Sequence, residues 1–261
     1  MNKNNLKAYV ASFQEADGSI RDPSAKATAE FLLVHRLCPH IGVGDVISAR
    51  SFLQEVLPVF ASHEVGKGFA SMESIWQISM GIPEHTRHLS HGFMKIACSS
   101  VTPSIKSALL LTLFLQKYTH SRMGEVLRDV ISYQRGLFTA PSLDSLYETT
   151  HNCLTFWAGE LDGHESGTIL RESTEWLSST LLSFTFCVDL LAEGLSVMLL
   201  THFDAPFYEK AFSLLHDKQN GDGGFPVFEG GPSAFHSSLV ALWAVTAYEQ
   251  KCKKNRYEIS L

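Results

Sequence analysis

A spacing that occurs twice sets the main constraint on this chain. Gln134 stands 17 residues before His151, and Gln219 stands 17 residues before His236. Each Gln ends an apolar helical stretch and each His opens the next, in VISYQRGLFTAPSLDSLYETTHNCLTFWA and SLLHDKQNGDGGFPVFEGGPSAFHSSLVALWA. One helix–Gln–turn–His–helix unit cannot bury its apolar face alone, so two copies predict a stacked helical-hairpin repeat.

A third copy opens the chain as LKAYVASFQEADGSIRDPSAKATAEFLLVHRL. Aligning Gln14 with Gln219 also aligns Asp17 with Asp222 and Gly18 with Gly223. Gly after an apolar helix is a stop signal, because it accepts the left-handed conformation that ends helices. Gln14 to Gln134 is 120 residues and Gln134 to Gln219 is 85. Both are near multiples of ~42, a usual period for helical hairpins.

At that period the chain holds about six hairpins. The later five pair 47–61 with 69–81, 85–98 with 104–118, 124–135 with 144–158, 170–181 with 184–200, and 207–219 with 233–249. The second helix of most units is the more apolar, as in SALLLTLFLQKY and SSLVALWAVTAY, and the first carries more charge, as in EVLRDVISYQR. A helix apolar nearly all round is buried on several sides. The second helices, 107–118, 144–158, 184–200 and 237–248 among them, therefore form an inner ring. No long alternating strand pattern and no interdomain linker interrupts this. The reading is an all-α chain, residues 1–261 forming a single α/α toroid.

Composition narrows the function. Hydrophobic residues make up 45% and charged residues 18%, with a formal net charge of −6, and no Lys/Arg cluster stands out beyond the short KCKKNR at 251–256. Nucleic-acid binding needs a basic face and is disfavoured. The most apolar window, 183–200, carries Asp189 and Glu193 at its centre. Each costs ~3 kcal/mol in a bilayer. It reads as a buried helix, with no integral membrane insertion. MNKNNLKAYV lacks the apolar run of a leader, and five cysteines without a C-x-x-C fit a reducing cytoplasm. The oligomeric state is left open.

KAFSLLHDKQNGDGGF (210–225) resembles the QW motif of squalene and oxidosqualene cyclases, and YVASFQEADGSI (9–20) is a weaker copy. GGF, the following Gly-Gly-Pro and an inner helix with Trp are similar to the protein prenyltransferase β subunit. Both families are α/α toroids of six hairpins, so the resemblance implies that fold. The chemistry departs. The chain has no D-x-D-D acid motif, AFHSSLV lacks the Cys of the prenyltransferase zinc site, and no cysteine precedes His-Gly as in lanthionine cyclases. Thr150-His151, Asp189-Leu190-Leu191-Ala192-Glu193 and His236-Ser237-Ser238-Leu239-Val240 are also similar to motifs of bacterial toroid proteins of unassigned activity.

In such a toroid the N-terminal ends of inner helices converge. His151 and His236 would meet there, with Asp189 and Glu193 on the helix between them. Those carboxylates are four apart and share one helical face. A buried carboxylate needs a partner. His151, His236 and Asp189, with Glu193 as the alternative carboxylate, would make a 2-His-1-carboxylate site suited to divalent Fe or Zn. The same histidines serve as well as hydrogen-bonding core residues, and the carboxylates as a structural pair with Lys or Arg.

Glu73, Trp76, Tyr147, Glu148, Phe156, Trp157 and Trp243 are candidate wall residues for substrate. EHTRHLSH (84–91) reads as a solvated face, and the repeat glutamines as structural residues bonding a neighbouring helix end. Three functions remain. The first is a small metal-dependent tailoring enzyme of bacterial specialised metabolism, acting on an apolar or peptide-like substrate. The second is a metal-free cyclase in which Asp189 or Glu193 is the acid and aromatic walls stabilise carbocations. The third is a non-catalytic toroid that binds a lipid or partner protein.

Overall fold

The computed structural model describes residues 1–21, 24–64, 75, 77–201 and 207–259. The chain is all-α. Its helices are α1 (Lys3–Ala11), α2 (Ser24–Leu37), α3 (Val46–Glu64), α4 (Ser90–Ala97), α5 (Pro103–Leu115), α6 (Met123–Leu137), α7 (Leu143–Leu161), α8 (Gly167–Thr180), α9 (Val188–Leu200), α10 (Tyr208–His216) and α11 (Phe235–Ile259). Residues 77–81 are also helical. The sheet among the described residues is one two-residue ribbon, β1 (Phe225–Pro226) against β2 (Ser233–Ala234), antiparallel.

Burial separates inner from outer helices. On α6 the buried residues are Met123, Val126, Leu127, Val130 and Gln134, a single stripe at helical spacing. On α9 every residue from Val188 to Leu199 is buried. Each large apolar side chain there contributes roughly 1.5–3 kcal/mol by leaving water. The inner helices succeed one another as neighbours: α5 packs on α7, α7 on α9, α9 on α11, and α11 on α2. The 77–81 stretch adjoins α2, where a Cβ on Gly81 would come within 2.9 Å of Ala29 Cα. This succession is that of an α/α toroid.

The repeat glutamines show how the units join. Gln14 Nε2 donates to Asp45 O at 2.7 Å and Oε1 accepts from Asp45 N–H at 2.6 Å, immediately before α3. Gln219 does the same in the last repeat: Nε2 donates to Asn2 O at 3.1 Å and Oε1 accepts from Asn2 N–H at 2.7 Å. Asn2 caps α1 through its side chain. The last unit is thereby fastened to the start of the first helix. Gln134 differs, because its amide stays within its own hairpin, bonding Thr149 and Asn152 of α7.

Three boundaries differ from the sequence reading. The inner helix of the fifth unit begins at Val188, after a 3-10 turn over Leu181–Phe184. Val227 O accepts from the N–H groups of Val188 (2.9 Å) and Asp189 (3.3 Å), satisfying two orphan donors of the new helix. The last helix runs past 249 to Ile259, since no Gly or Pro stands between 235 and 259 to stop it. In the third unit, 83–89 forms two 3-10 turns before α4. His85, His88 and His91 are exposed there, as a solvated face requires. No helix of the described residues is long and apolar enough to cross a membrane.

Candidate metal centre

Four inner helices supply the cluster. Ser142 caps α7 in a capping box with Ser145, which starts that helix at Leu143. His151 consequently lies two turns inside α7 rather than at its opening, on a level with Thr150 and one turn beyond Tyr147. Asp189 occupies the first turn of α9 and Glu193 the next turn on the same face. His236 is the second residue of α11. Glu30 comes from the middle of α2.

The contacts follow one pattern. Tyr147 OH donates to Asp189 Oδ2 at 2.7 Å. The other oxygen, Oδ1, is buried, has no hydrogen-bond partner among the described residues, and lies 3.7 Å from His236 Nε2. The Thr150 hydroxyl donates to Glu193 Oε1. The other oxygen, Oε2, lies 3.7 Å from His236 Nε2. His236 Nδ1 donates to Glu30 Oε2 at 3.2 Å, and Lys26 Nζ stands 3.7 Å from Glu30 Oε1. Asp189 and Glu193 side chains are only 8% and 6% exposed, while His236 is 40% exposed. The centre is therefore buried on its carboxylate side and open on its imidazole side.

Burial alone would raise the pKa of Glu193. The charge of His151, the hydrogen bond and charge of His236 and the Thr150 hydroxyl outweigh it and hold the carboxyl at about 2, against a usual 4.5. Burial lowers the pKa of His236, but its bonds to Glu193 and Glu30 and the charge of Asp189 lift it well above 6.5. Burial, and then the Asp189 charge, push the Tyr147 phenol far upward, so it remains a proton donor to Asp189.

Ligand atoms of Asp189, Glu193 and His236 all lie within 4.8 Å of one another. An ion bonded at ~2.0–2.2 Å to each sets ligand spacings of about 3.0–4.2 Å, from adjacent to opposite positions. The 3.7 Å separations fall inside that interval. This trio can hold a metal ion. His151 stands outside it, with Nε2 3.3 Å from Glu193 Oε1 and a 64% exposed side chain.

The remaining candidates are dispersed. Glu148 is tied to Ser104 of α5, whose hydroxyl donates to it at 2.8 Å. Phe156 and Trp243 belong to the packed core, no more than 3% exposed, and Trp157 packs at its edge. Glu73 and Trp76 lie outside the described residues. Glu30 and the hydroxyl of Thr150 escaped the sequence reading as site residues. Glu30 had a signal: it is a lone carboxylate inside ATAEFLLV, the same reason that singled out Asp189 and Glu193. Comparison with protein-family models, with curated proteins and with solved structures returns no match for this chain.

Proposed function

We propose that the protein is an enzyme dependent on a divalent metal, Fe(II) or Zn(II), held by Asp189, Glu193 and His236, and that its substrate is an apolar or peptide-like small molecule. One observation carries this reading. Each of the three ligands has one atom fixed by a protein partner and its other atom turned to a shared centre: Asp189 by Tyr147, Glu193 by Thr150, His236 by Glu30. Metal ligands are characteristically oriented this way, a carboxylate on the far nitrogen of the histidine above all. Asp189 Oδ1 supports the same reading: among the described residues it accepts no hydrogen bond, and it faces His236 Nε2 at 3.7 Å across a gap that a cation could occupy.

Three protein ligands leave coordination positions for water and substrate. A metal bound there would supply Lewis acidity or an activated water. The residues themselves keep the centre ready. Tyr147 orients Asp189, Glu30 selects the Nδ1–H tautomer of His236, and the walls of α9 and α7 exclude water from the carboxylates. On the metal-free reading the acid would be Asp189, because a Glu193 carboxyl held at about 2 is no proton donor at neutral pH. The test is elemental analysis and calorimetric titration with Zn²⁺ or Fe²⁺ on protein carrying no histidine tag. We expect one ion per chain, lost in His236→Ala and Asp189→Ala while the helical spectrum persists. Protein that binds neither ion would sink the reading.

A further inference from the structure

Beside the metal centre runs a cleft of about 520 Å³ between α6 and the first turns of α7, lined by Tyr133, Leu137, Asp144, Tyr147, Glu148 and His151 among others. Its volume is that of a small-molecule site, for which ~300–1,000 Å³ is usual. Two of its residues also touch the carboxylates of the candidate centre. Tyr147 lines the cleft and binds Asp189 through its hydroxyl. His151 lines the cleft and sets Nε2 3.3 Å from Glu193. Its other ring nitrogen, Nδ1, makes no hydrogen bond among the described residues, and the ring is largely exposed.

We propose that this cleft is the substrate-binding site of that centre and that its ligand is an amphipathic small molecule bearing a cationic nitrogen; the word substrate here rests on the metal reading above. Shared residues make the cleft continuous with the centre. Its chemistry then selects the class. Tyr133, Leu137 and Tyr147 offer an apolar, aromatic surface that accepts a ring or short chain and favours a cation over a ring face. Asp144 and Glu148 stand four residues apart on one face of α7. The lining residues include no Lys or Arg to neutralise them. Glu148 is oriented by Ser104, and Asp144 has no partner among the described residues. An anionic ligand would meet two uncompensated carboxylates, whereas an ammonium would pair with them. His151 stands at the inner end, the one lining residue that touches Glu193.

The test uses the full chain, metal-free and Zn²⁺-loaded, titrated with benzylamine and with benzoate and followed by amide NMR. Benzylamine is expected to shift the amides of 133–137 and 142–151 in both forms, with benzoate at least about tenfold weaker. In Asp144→Asn/Glu148→Gln the two probes should bind within about twofold of each other. Asp144 is exposed and Glu148 half-buried, and a retained amide spectrum would show the variant folded. Benzoate binding as tightly as benzylamine, or amine-induced shifts elsewhere, overturns the proposal. If benzylamine occupies the cleft but Zn²⁺ does not bind, the metal reading falls and the cleft assignment stands. If Zn²⁺ binds and neither probe reaches the cleft, the cleft assignment falls alone.

Discussion

His236 Nδ1 lies 3.2 Å from Glu30 Oε2, a bond between residues 206 apart in sequence. It joins the last inner helix to the first. It also leaves Nε2 of the same ring facing Asp189 and Glu193, each at 3.7 Å. One contact thus closes the ring of helices and orients the imidazole of the candidate centre.

Glu30→Gln should therefore weaken Zn²⁺ binding by about 10–100-fold, the usual loss when the carboxylate behind a metal-bound histidine is neutralised. Tyr147→Phe should act in the same direction by freeing Asp189 Oδ2. Chelator competition measures both, with far-UV circular dichroism as the control for folding. Wild-type affinity in both variants would remove these contacts from the site.

Metal-free protein should be most stable in a mid-range of pH. The Glu193 carboxyl is depressed from 4.5 to about 2 on folding, so its contribution is present above 4.5 and lost as pH falls toward 2. It amounts to on the order of 3 kcal/mol. The His236 imidazole is raised above 6.5, so its contribution is complete below 6.5 and lost as pH rises through the folded value. The groups facing this pair are Asp189, Glu30, His151 and Tyr147, with Lys26 behind Glu30. Urea melts at pH 2.5, 5.5 and 9 check the shape. A monotonic rise to pH 9 would contradict the imidazolium–carboxylate pair.

Gln219→Ala should cost ~1–2 kcal/mol, because it strips the Asn2 N–H and carbonyl of their partners where the ring closes. Gln14→Ala should cost a similar amount at Asp45. Metal affinity should be unchanged in both. Denaturant midpoints equal to wild type would show that these clamps are dispensable.

Gly223→Ala should be worse than either. Gly223 has φ +91°, and a Cβ would sit 2.8 Å from Asn5 O, a backbone atom that cannot swing aside. Gly18 is its counterpart, φ +89° with a Cβ 2.2 Å from the Ser48 carbonyl carbon. We expect losses above ~2 kcal/mol at each, left-handed strain and overpacking together. Thermal melts within a degree of wild type would overturn this.

Residues 1–261 are proposed to unfold as one unit, because Gln219 and Glu30 tie the last hairpin to the first. Fluorescence and circular dichroism should report coincident transitions. A protease-resistant fragment of two or three hairpins would argue for separate domains.

Local rules carried much of the architecture. Helical spacing of apolar residues, the Asp-Gly stops at Gly18 and Gly223, and the contrast between EVLRDVISYQR and SSLVALWAVTAY are all short-range signals, and the all-α chain with buried second helices follows from them. The carboxylates of the site were legible for a related reason: Asp189 and Glu193 in an otherwise apolar helix demand a partner wherever that helix is buried. Which partners they meet is a different matter. The 17-residue spacing placed His151 and His236 as equivalents, yet Ser142 starts α7 two turns before His151, whereas α11 starts at Phe235, beside His236. The two rings therefore enter the centre at different depths. His236 joins the trio and His151 lies at its edge. Glu30 reaches His236 only because the last helix packs against the first. A hydrogen bond has a reach of ~3 Å, and that distance is set by how rigid helices pack, not by their separation along the chain.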